Sequence, residues 1–199
     1  MVISDLITDL NKSCSVFFTE SDFRFHHKSA FTIVSTGNLS SEAYNWRKGV
    51  HNSVNAIRWF DDFWVYSEGN INGSSIQLSL SIFQGQANDI KKSQLIRAEW
   101  DEYPENNGPH PQPHWHVVSN VAIENTFEKF AETFEEDDFL STLNSEKDKV
   151  IDIGKFHFSM CANWLHSNYD LNEIDHSKIV NWYCGLFSEI RTQLEFCKK

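Results

Sequence analysis

The 199-residue chain has few cysteines, and their spacing narrows the class of protein. The four cysteines, Cys14, Cys161, Cys184 and Cys197, lie far apart, with no CxxC pair and no spacing typical of a small disulfide-stapled domain. Closely spaced cysteines would be needed for a zinc finger or a secreted disulfide scaffold. We therefore predict free thiols in a reducing compartment.

Positive charge and long apolar runs are also scarce. Seventeen Lys and Arg stand against 28 Asp and Glu, so the formal charge is -11. Non-specific binding to nucleic acid requires clustered cations and is not expected. No stretch approaches 18 consecutive apolar residues, and the N-terminal segment "MVISDLITDLNKSC" lacks a basic region followed by an apolar one. The sequence predicts a cytoplasmic protein with no membrane association.

Well-known catalytic and binding motifs are missing as well. The chain contains no P-loop, GxGxxG, GxSxG, HExxH or EF-hand pattern. This argues against ordinary nucleotide-binding folds, serine hydrolases, zincins and calcium sensors. Aromatic residues, in contrast, are plentiful, with 16 Phe, 7 Trp and 5 Tyr, and 40% of the chain is apolar. This length and apolar content predict one globular domain over residues 1–199.

Residue spacing predicts both helices and strands in the first third of the chain. Apolar residues over 2–11 recur every three or four positions, which is typical of an amphipathic helix. The short runs "SVFF", "DFRFHH" and "AFTIVSTGN" predict strands. Serines that could cap a helix, followed by Val50, Val54, Ile57 and Trp64, predict a long helix over about 41–66.

Alternation predicts several strands in the middle of the chain. In "SIQLSLSIFQG" and "QLIRAEWDEY" apolar and polar residues alternate, and "HWHVVSN" and "KFHFSMCANW" repeat the pattern. Helical spacing returns in "DHSKIVNWYCGLFSEIRTQLEF", where Ile179, Tyr183, Leu186, Ile190 and Leu194 form an apolar stripe. Because the middle strands are joined by connections too short for parallel crossovers, we predict an α+β fold. Its small, mostly antiparallel sheet would be packed by the 41–66 helix and the C-terminal helix.

The most distinctive stretch is "RAEWDEYPENNGPHPQPHWHVV", residues 97–118. Alternation places Arg97, Glu99 and Asp101 on one face of their strand, and His114 and His116 on one face of the next. If the two strands pair as a hairpin, cross-strand neighbours lie about 5 Å apart. The carboxylates and imidazoles are therefore predicted to share one site.

This set of side chains suits two kinds of chemistry. As ligands, His114, His116 and Asp101, with His110 and His157 as second-tier members, fit a divalent metal such as zinc or manganese. Without a metal, His114 and His116 would act as general acid or base. In either case Glu99 would be a ligand or orient a histidine, and Arg97 would clamp a phosphate. The predicted activity is hydrolysis of a nucleotide or phosphodiester.

A rival hypothesis makes the chain a non-catalytic interaction protein. An acidic amphipathic helix is predicted over 126–143, and its segment "AETFEEDDF" carries five acids. Such a surface suits a basic protein partner. The chain would then be an antitoxin-like or immunity-like partner, or an accessory subunit of a bacterial defence complex. The prolines of the histidine stretch would only stiffen a structural turn.

Overall fold

The computed structural model describes residues 2–47, 50–72, 75–89, 92–101, 113–117 and 174–198. These ranges contain a mostly antiparallel sheet of eight strands and two α-helices, which confirms the α+β class. The elements are α1 Ile3–Cys14, a 3-10 turn Ser15–Phe17, β1 Arg24–His27, β2 Thr32–Thr36, β3 Ser40–Arg47, β4 Val50–Phe60, β5 Phe63–Asn72, β6 Ser75–Gln84, β7 Ser93–Asp101, β8 His114–Val117 and α2 His176–Cys197.

The sheet is built around the long strand β5. Its strand order is β1-β2-β5-β6-β7-β8, and every pairing among the described strands is antiparallel. One edge of β5 has two partners, because β2 pairs with residues 68–70 and β4 pairs with residues 63–65. Among the strands that the structure describes, β3 pairs only with β4. The β3–β4 hairpin therefore forms a branch that joins the main sheet only along one part of β5.

Both helices pack on one face of the sheet and form the main core with it. The N-cap Asp175 accepts a hydrogen bond from the Lys178 backbone N–H at 2.8 Å, which satisfies an amide at the start of α2. Trp182 of α2 lies 5.9 Å from Trp100 of β7 between ring centroids. The predicted apolar stripe of α2 is confirmed, because all five of its residues are buried: Ile179, Tyr183, Leu186, Ile190 and Leu194.

The β3–β4 hairpin covers part of the opposite face. Asn45 of β3 accepts hydrogen bonds from Ser81 of β6 at 2.8 Å and Gln94 of β7 at 2.9 Å. A smaller apolar cluster forms on this face from Ala43, Ala56, Trp64, Tyr66 and Phe83. Ser79 and Ser81 of β6 are both buried on this face, although alternation of polar and apolar residues is typical of a strand with one face in solvent.

The long helix predicted over 41–66 is wrong, because this segment forms β3, β4 and the start of β5. Asp61 adopts a left-handed φ of 49° in the two-residue turn that joins β4 to β5, a conformation that Asp tolerates. The segment is rich in β-branched and aromatic residues, which favour strands. The helical spacing was coincidental: residues on both faces of these strands are apolar, so the alternation that marks a strand was hidden.

Other predictions have mixed outcomes. The first helix is confirmed and extends to Cys14, whereas "SVFF" begins with a 3-10 turn and not a strand. The acidic helix over 126–143 and the strand predicted from "KFHFSMCANW" lie outside the described residues. Neither α1 nor α2, the α-helices of the described ranges, combines the length and apolar character needed to cross a membrane.

Lys92 is a buried cation on the face covered by the β3–β4 hairpin. Its Nζ lies 4.4 Å from the centroid of the Trp64 ring and donates to Ser41 Oγ at 2.6 Å and to the Asp89 carbonyl at 3.3 Å. Burial lowers the pKa of Lys92 from its ordinary value of 10.5, and the charge of Asp89 offsets only part of this effect. The folded state therefore disfavours the protonated form relative to the unfolded chain.

Lys92→Met should reduce the pH dependence of the free energy of unfolding in the alkaline range. Between the lowered folded pKa and about 10.4, the unfolded chain binds more protons at Lys92 than the folded chain does, so the Lys92 contribution to stability rises with pH. Relative to Lys92→Met, the free energy of unfolding of the wild type should be flat at neutral pH and increase above it. Urea unfolding of both proteins from pH 7 to pH 10 measures this difference, and a decrease would contradict the prediction.

Candidate functional site

The histidine stretch and the strand before it pair as an antiparallel hairpin. In the register of β7 and β8, Glu99 lies opposite His114 and Arg97 lies opposite His116. Because alternate side chains point to opposite faces, these four residues share one face, while Ala98 and Trp100 face the helices. The structure thus brings together all four residues that the sequence proposed as catalytic.

The side-chain atoms of this group converge on a small volume. His116 Nε2 lies 2.9 Å from His114 Nε2 and 2.9 Å from Glu99 Oε2. The third side of the triangle, from His114 Nε2 to Glu99 Oε2, measures 3.5 Å. Glu99, His114 and His116 are also the one group of three or more candidate ligands within reach of a common ion in the described part of the chain.

Burial differs steeply across the site. The side chains of Arg97 and Glu99 are 2% and 8% exposed, His114 is 12% exposed and His116 is 33% exposed. Arg97 Nε lies 3.0 Å from Glu99 Oε1, so the carboxylate directs one oxygen to the guanidinium and the other to the histidines. Solvent therefore reaches the site from the side of His116, while the Arg97–Glu99 ion pair lies at its buried end.

Protons alone cannot satisfy this geometry fully. The Nε2 atom of an imidazole carries either one proton or one lone pair in the plane of the ring. His116 Nε2 has two neighbours at 2.9 Å, an imidazole nitrogen and a carboxylate oxygen. Its single proton or lone pair can make one full hydrogen bond to one of them, or a weaker one divided between both. A single cation can instead accept lone pairs from His114, His116 and Glu99 together.

The dimensions of the triangle also suit a cation. Ligands placed 2.0 to 2.1 Å from a tetrahedral zinc ion are separated from each other by about 3.3 Å. The three observed separations are 2.9, 2.9 and 3.5 Å. Two histidines and one carboxylate are a ligand set found in catalytic zinc sites, which keep a further position open for water or substrate. Arg97 would then hold the ligand Glu99 in place from behind.

Of the other three predicted ligands, the structure describes one, and it is not part of this triangle. Asp101 lies at the end of β7, paired with Gln77 of β6, and does not belong to the group of converging ligand atoms. His110 and His157 lie outside the described residues. The group that the structure does describe is Glu99, His114 and His116, so Glu99, proposed as a ligand or an orienting group, lies among the converging ligand atoms.

Sequence reasoning missed the polar network beside the site. Ser81 lies opposite Arg97 in the sheet, and its hydroxyl donates to Asn45, which also accepts from Gln94. All of these side chains are buried. Asn45 fell within the segment predicted to be helical, so no pattern in the sequence connected it with β6 or β7.

Comparison with known proteins identifies no relative. No protein-family model, curated protein or solved structure matches the chain. Its function must therefore be inferred from the site itself.

Proposed function

We propose that the chain is a hydrolase of nucleotides or phosphodiesters that uses one divalent metal ion, zinc or manganese. Glu99 Oε2, His114 Nε2 and His116 Nε2 would be its protein ligands. The observation that carries this proposal is the triangle of these three atoms, whose contacts of 2.9 Å to His116 Nε2 cannot both be full hydrogen bonds. One cation would satisfy all three lone pairs.

Hydrolysis follows from the coordination that three protein ligands leave open. A zinc ion with three protein ligands binds water in its fourth position and lowers the pKa of that water to about 7. When bound, such an ion would also polarise a phosphoryl oxygen of an ester substrate. His116 is the most exposed of the three ligands, so substrate would approach from its side.

Burial favours a different role for Arg97 from the predicted phosphate clamp. A guanidinium that is 2% exposed and 3.0 Å from Glu99 is poorly placed to receive a substrate from solvent. We assign it instead to positioning the carboxylate ligand. The phosphate would then be held by the metal ion rather than by Arg97.

Metal-dependent hydrolysis of bis(4-nitrophenyl) phosphate tests this function. Protein supplied with Zn²⁺ or Mn²⁺ should release nitrophenolate, and a chelator or the substitution His116→Ala should lower the rate by at least about 100-fold, because the ion that would activate water is removed or loses a ligand. His26→Ala is the matched control, since His26 is an exposed histidine on the far edge strand β1. Its rate should equal that of the wild type.

Other outcomes separate the parts of the proposal. Metal binding without hydrolysis of phosphate esters would refute the proposed hydrolase activity but would support the proposed metal site. Hydrolysis that resists the chelator but needs His116 would favour the metal-free histidine mechanism. If chelator and His116→Ala both leave the rate unchanged, neither form of the site hypothesis survives.

The interaction hypothesis remains the second candidate. Its support is the formal charge of -11 and the acidic segment within 126–143, which suit a basic protein partner. We also propose a cytoplasmic location, in keeping with the free thiols of Cys14, Cys184 and Cys197. Reversing the charges of residues 132–138 would abolish capture of a basic partner under this hypothesis, whereas His116→Ala would not.

A further inference from the structure

Two cysteines from opposite ends of the chain meet between the helices. Cys14 ends α1 and Cys184 lies in the third turn of α2, 170 residues later, yet their Sγ atoms are 4.0 Å apart. A disulfide requires a separation of about 2.05 Å, so the two sulfur atoms need to approach by only about 2 Å. Side-chain rotation supplies movements of this size.

The two thiols have unequal environments. Cys14 is fully buried, whereas Cys184 is partly exposed. A hydrogen bond from Cys14 stabilises the Cys184 thiolate and lowers the pKa of Cys184, while the same hydrogen bond and burial raise the pKa of Cys14. The accessible sulfur is therefore also the one that ionises first, and the thiolate is the nucleophilic form of cysteine.

We propose that Cys14 and Cys184 are a reversible dithiol site, at which disulfide oxidants such as oxidised glutathione cross-link α1 to α2. Cys184 is the attacking residue and Cys14 the resolving residue. The juxtaposition of the sulfur atoms and the difference in their exposure carry this assignment. It does not depend on the metal site, which lies on the other face of the sheet.

The chemistry takes place in two exchanges. The Cys184 thiolate attacks one sulfur of oxidised glutathione, breaks its disulfide bond and releases one glutathione as thiolate, which takes up a proton from water. The Cys14 sulfur then attacks the Cys184 sulfur, and the proton of Cys14 passes to the second departing glutathione. Two protein thiols are oxidised and one glutathione disulfide is reduced to two thiols.

Peptide mapping of the wild-type protein after treatment with oxidised glutathione tests the proposal. We expect a linked pair of peptides containing Cys14 and Cys184, and a loss of about 2 Da for the two hydrogens removed. Because the link closes a very long loop, it should raise the melting temperature by roughly 5 to 15 °C, and reduction with dithiothreitol should reverse this shift.

A matched pair of variants assigns the roles of the two sulfurs. In a Cys161→Ser/Cys197→Ser background, Cys14→Ala should trap glutathione on Cys184 with a gain of about 305 Da, whereas Cys184→Ser should leave Cys14 unmodified. Stable glutathionylation of wild-type Cys184, two free thiols, or a link to Cys161 or Cys197 instead would each overturn the proposal. The wild-type map decides the matter even if a variant fails to fold.

Discussion

Replacing both site histidines should remove the stabilisation that Zn²⁺ gives to the folded protein. A ligand present at 100 times its dissociation constant stabilises the state that binds it by about 2.7 kcal/mol. For a domain of this size, the wild-type melting temperature should therefore rise by roughly 5 to 10 °C. His114→Ala/His116→Ala should show no rise, because two of the three converging ligand atoms are gone.

The chain contains a matched control for this experiment. His26 and His27 form an exposed pair of histidines on β1, separated from β8 by β2, β5, β6 and β7. His26→Ala/His27→Ala removes the same number of imidazoles and should keep the full Zn²⁺ response. If the control variant loses the response and the site variant keeps it, Zn²⁺ binds elsewhere and the proposed centre is wrong. Isothermal titration calorimetry with Zn²⁺ would measure the affinity of each protein directly.

The face that carries this site could be predicted because a strand has a period of two. Once residues 96–100 and 114–117 are taken as strands, the apolar positions fix the core side, and Glu99 and His114 must share the other side. The short connection between the strands further requires antiparallel pairing. The register could not be predicted in the same way, since it is set by contacts with β6 and by the turn.

The same period fails where a strand is buried on both faces. In β4 and β5, Trp59 and Val65 belong to the main core while Ala56 and Trp64 belong to the smaller apolar cluster, so "AIRWF" and "FWVY" are apolar at almost every position. Such a run also contains residues at helical spacing. This explains why a long helix was predicted where a hairpin folds over the sheet.

The role of Arg97 depended on that same hairpin. Alternation placed Arg97 on the polar face, and its predicted role as a phosphate clamp requires that a substrate can reach that face from solvent. The structure places β3 across part of it through the contacts of Asn45, and Arg97 is buried beside them. Long-range packing of this kind has no local signature, and the same holds for the Cys14 and Cys184 pair, which come from opposite ends of the chain.

The buried ion pair leads to a second large effect, on the stability of the metal-free protein. Arg97→Met leaves the Glu99 carboxylate, 8% exposed, without its guanidinium partner. Removing one member of a buried pair costs about 3 to 5 kcal/mol, since the remaining charge is uncompensated. We expect a loss of about this size in the free energy of unfolding measured by urea denaturation without added metal.

A second ion pair in the chain provides the control. Arg24 and Asp22 are also 3.0 Å apart, but their side chains are 64% and 61% exposed. Because exposed pairs contribute only about 0 to 1 kcal/mol, Arg24→Met should be nearly neutral. Equal losses in Arg97→Met and Arg24→Met would show that burial of the Arg97 pair has no energetic consequence.

Removing both charges should reverse most of the loss. In Arg97→Met/Glu99→Gln both charges of this pair are removed together, so the double variant should be more stable than Arg97→Met, and the two substitutions should not be additive. Zn²⁺ should also restore part of the stability of Arg97→Met, because the ion would neutralise Glu99 from its other oxygen. It should have a smaller effect on the double variant, which lacks the carboxylate ligand. If Zn²⁺ stabilises both variants by the same amount, the ion does not bind to Glu99, and the proposed coordination is contradicted.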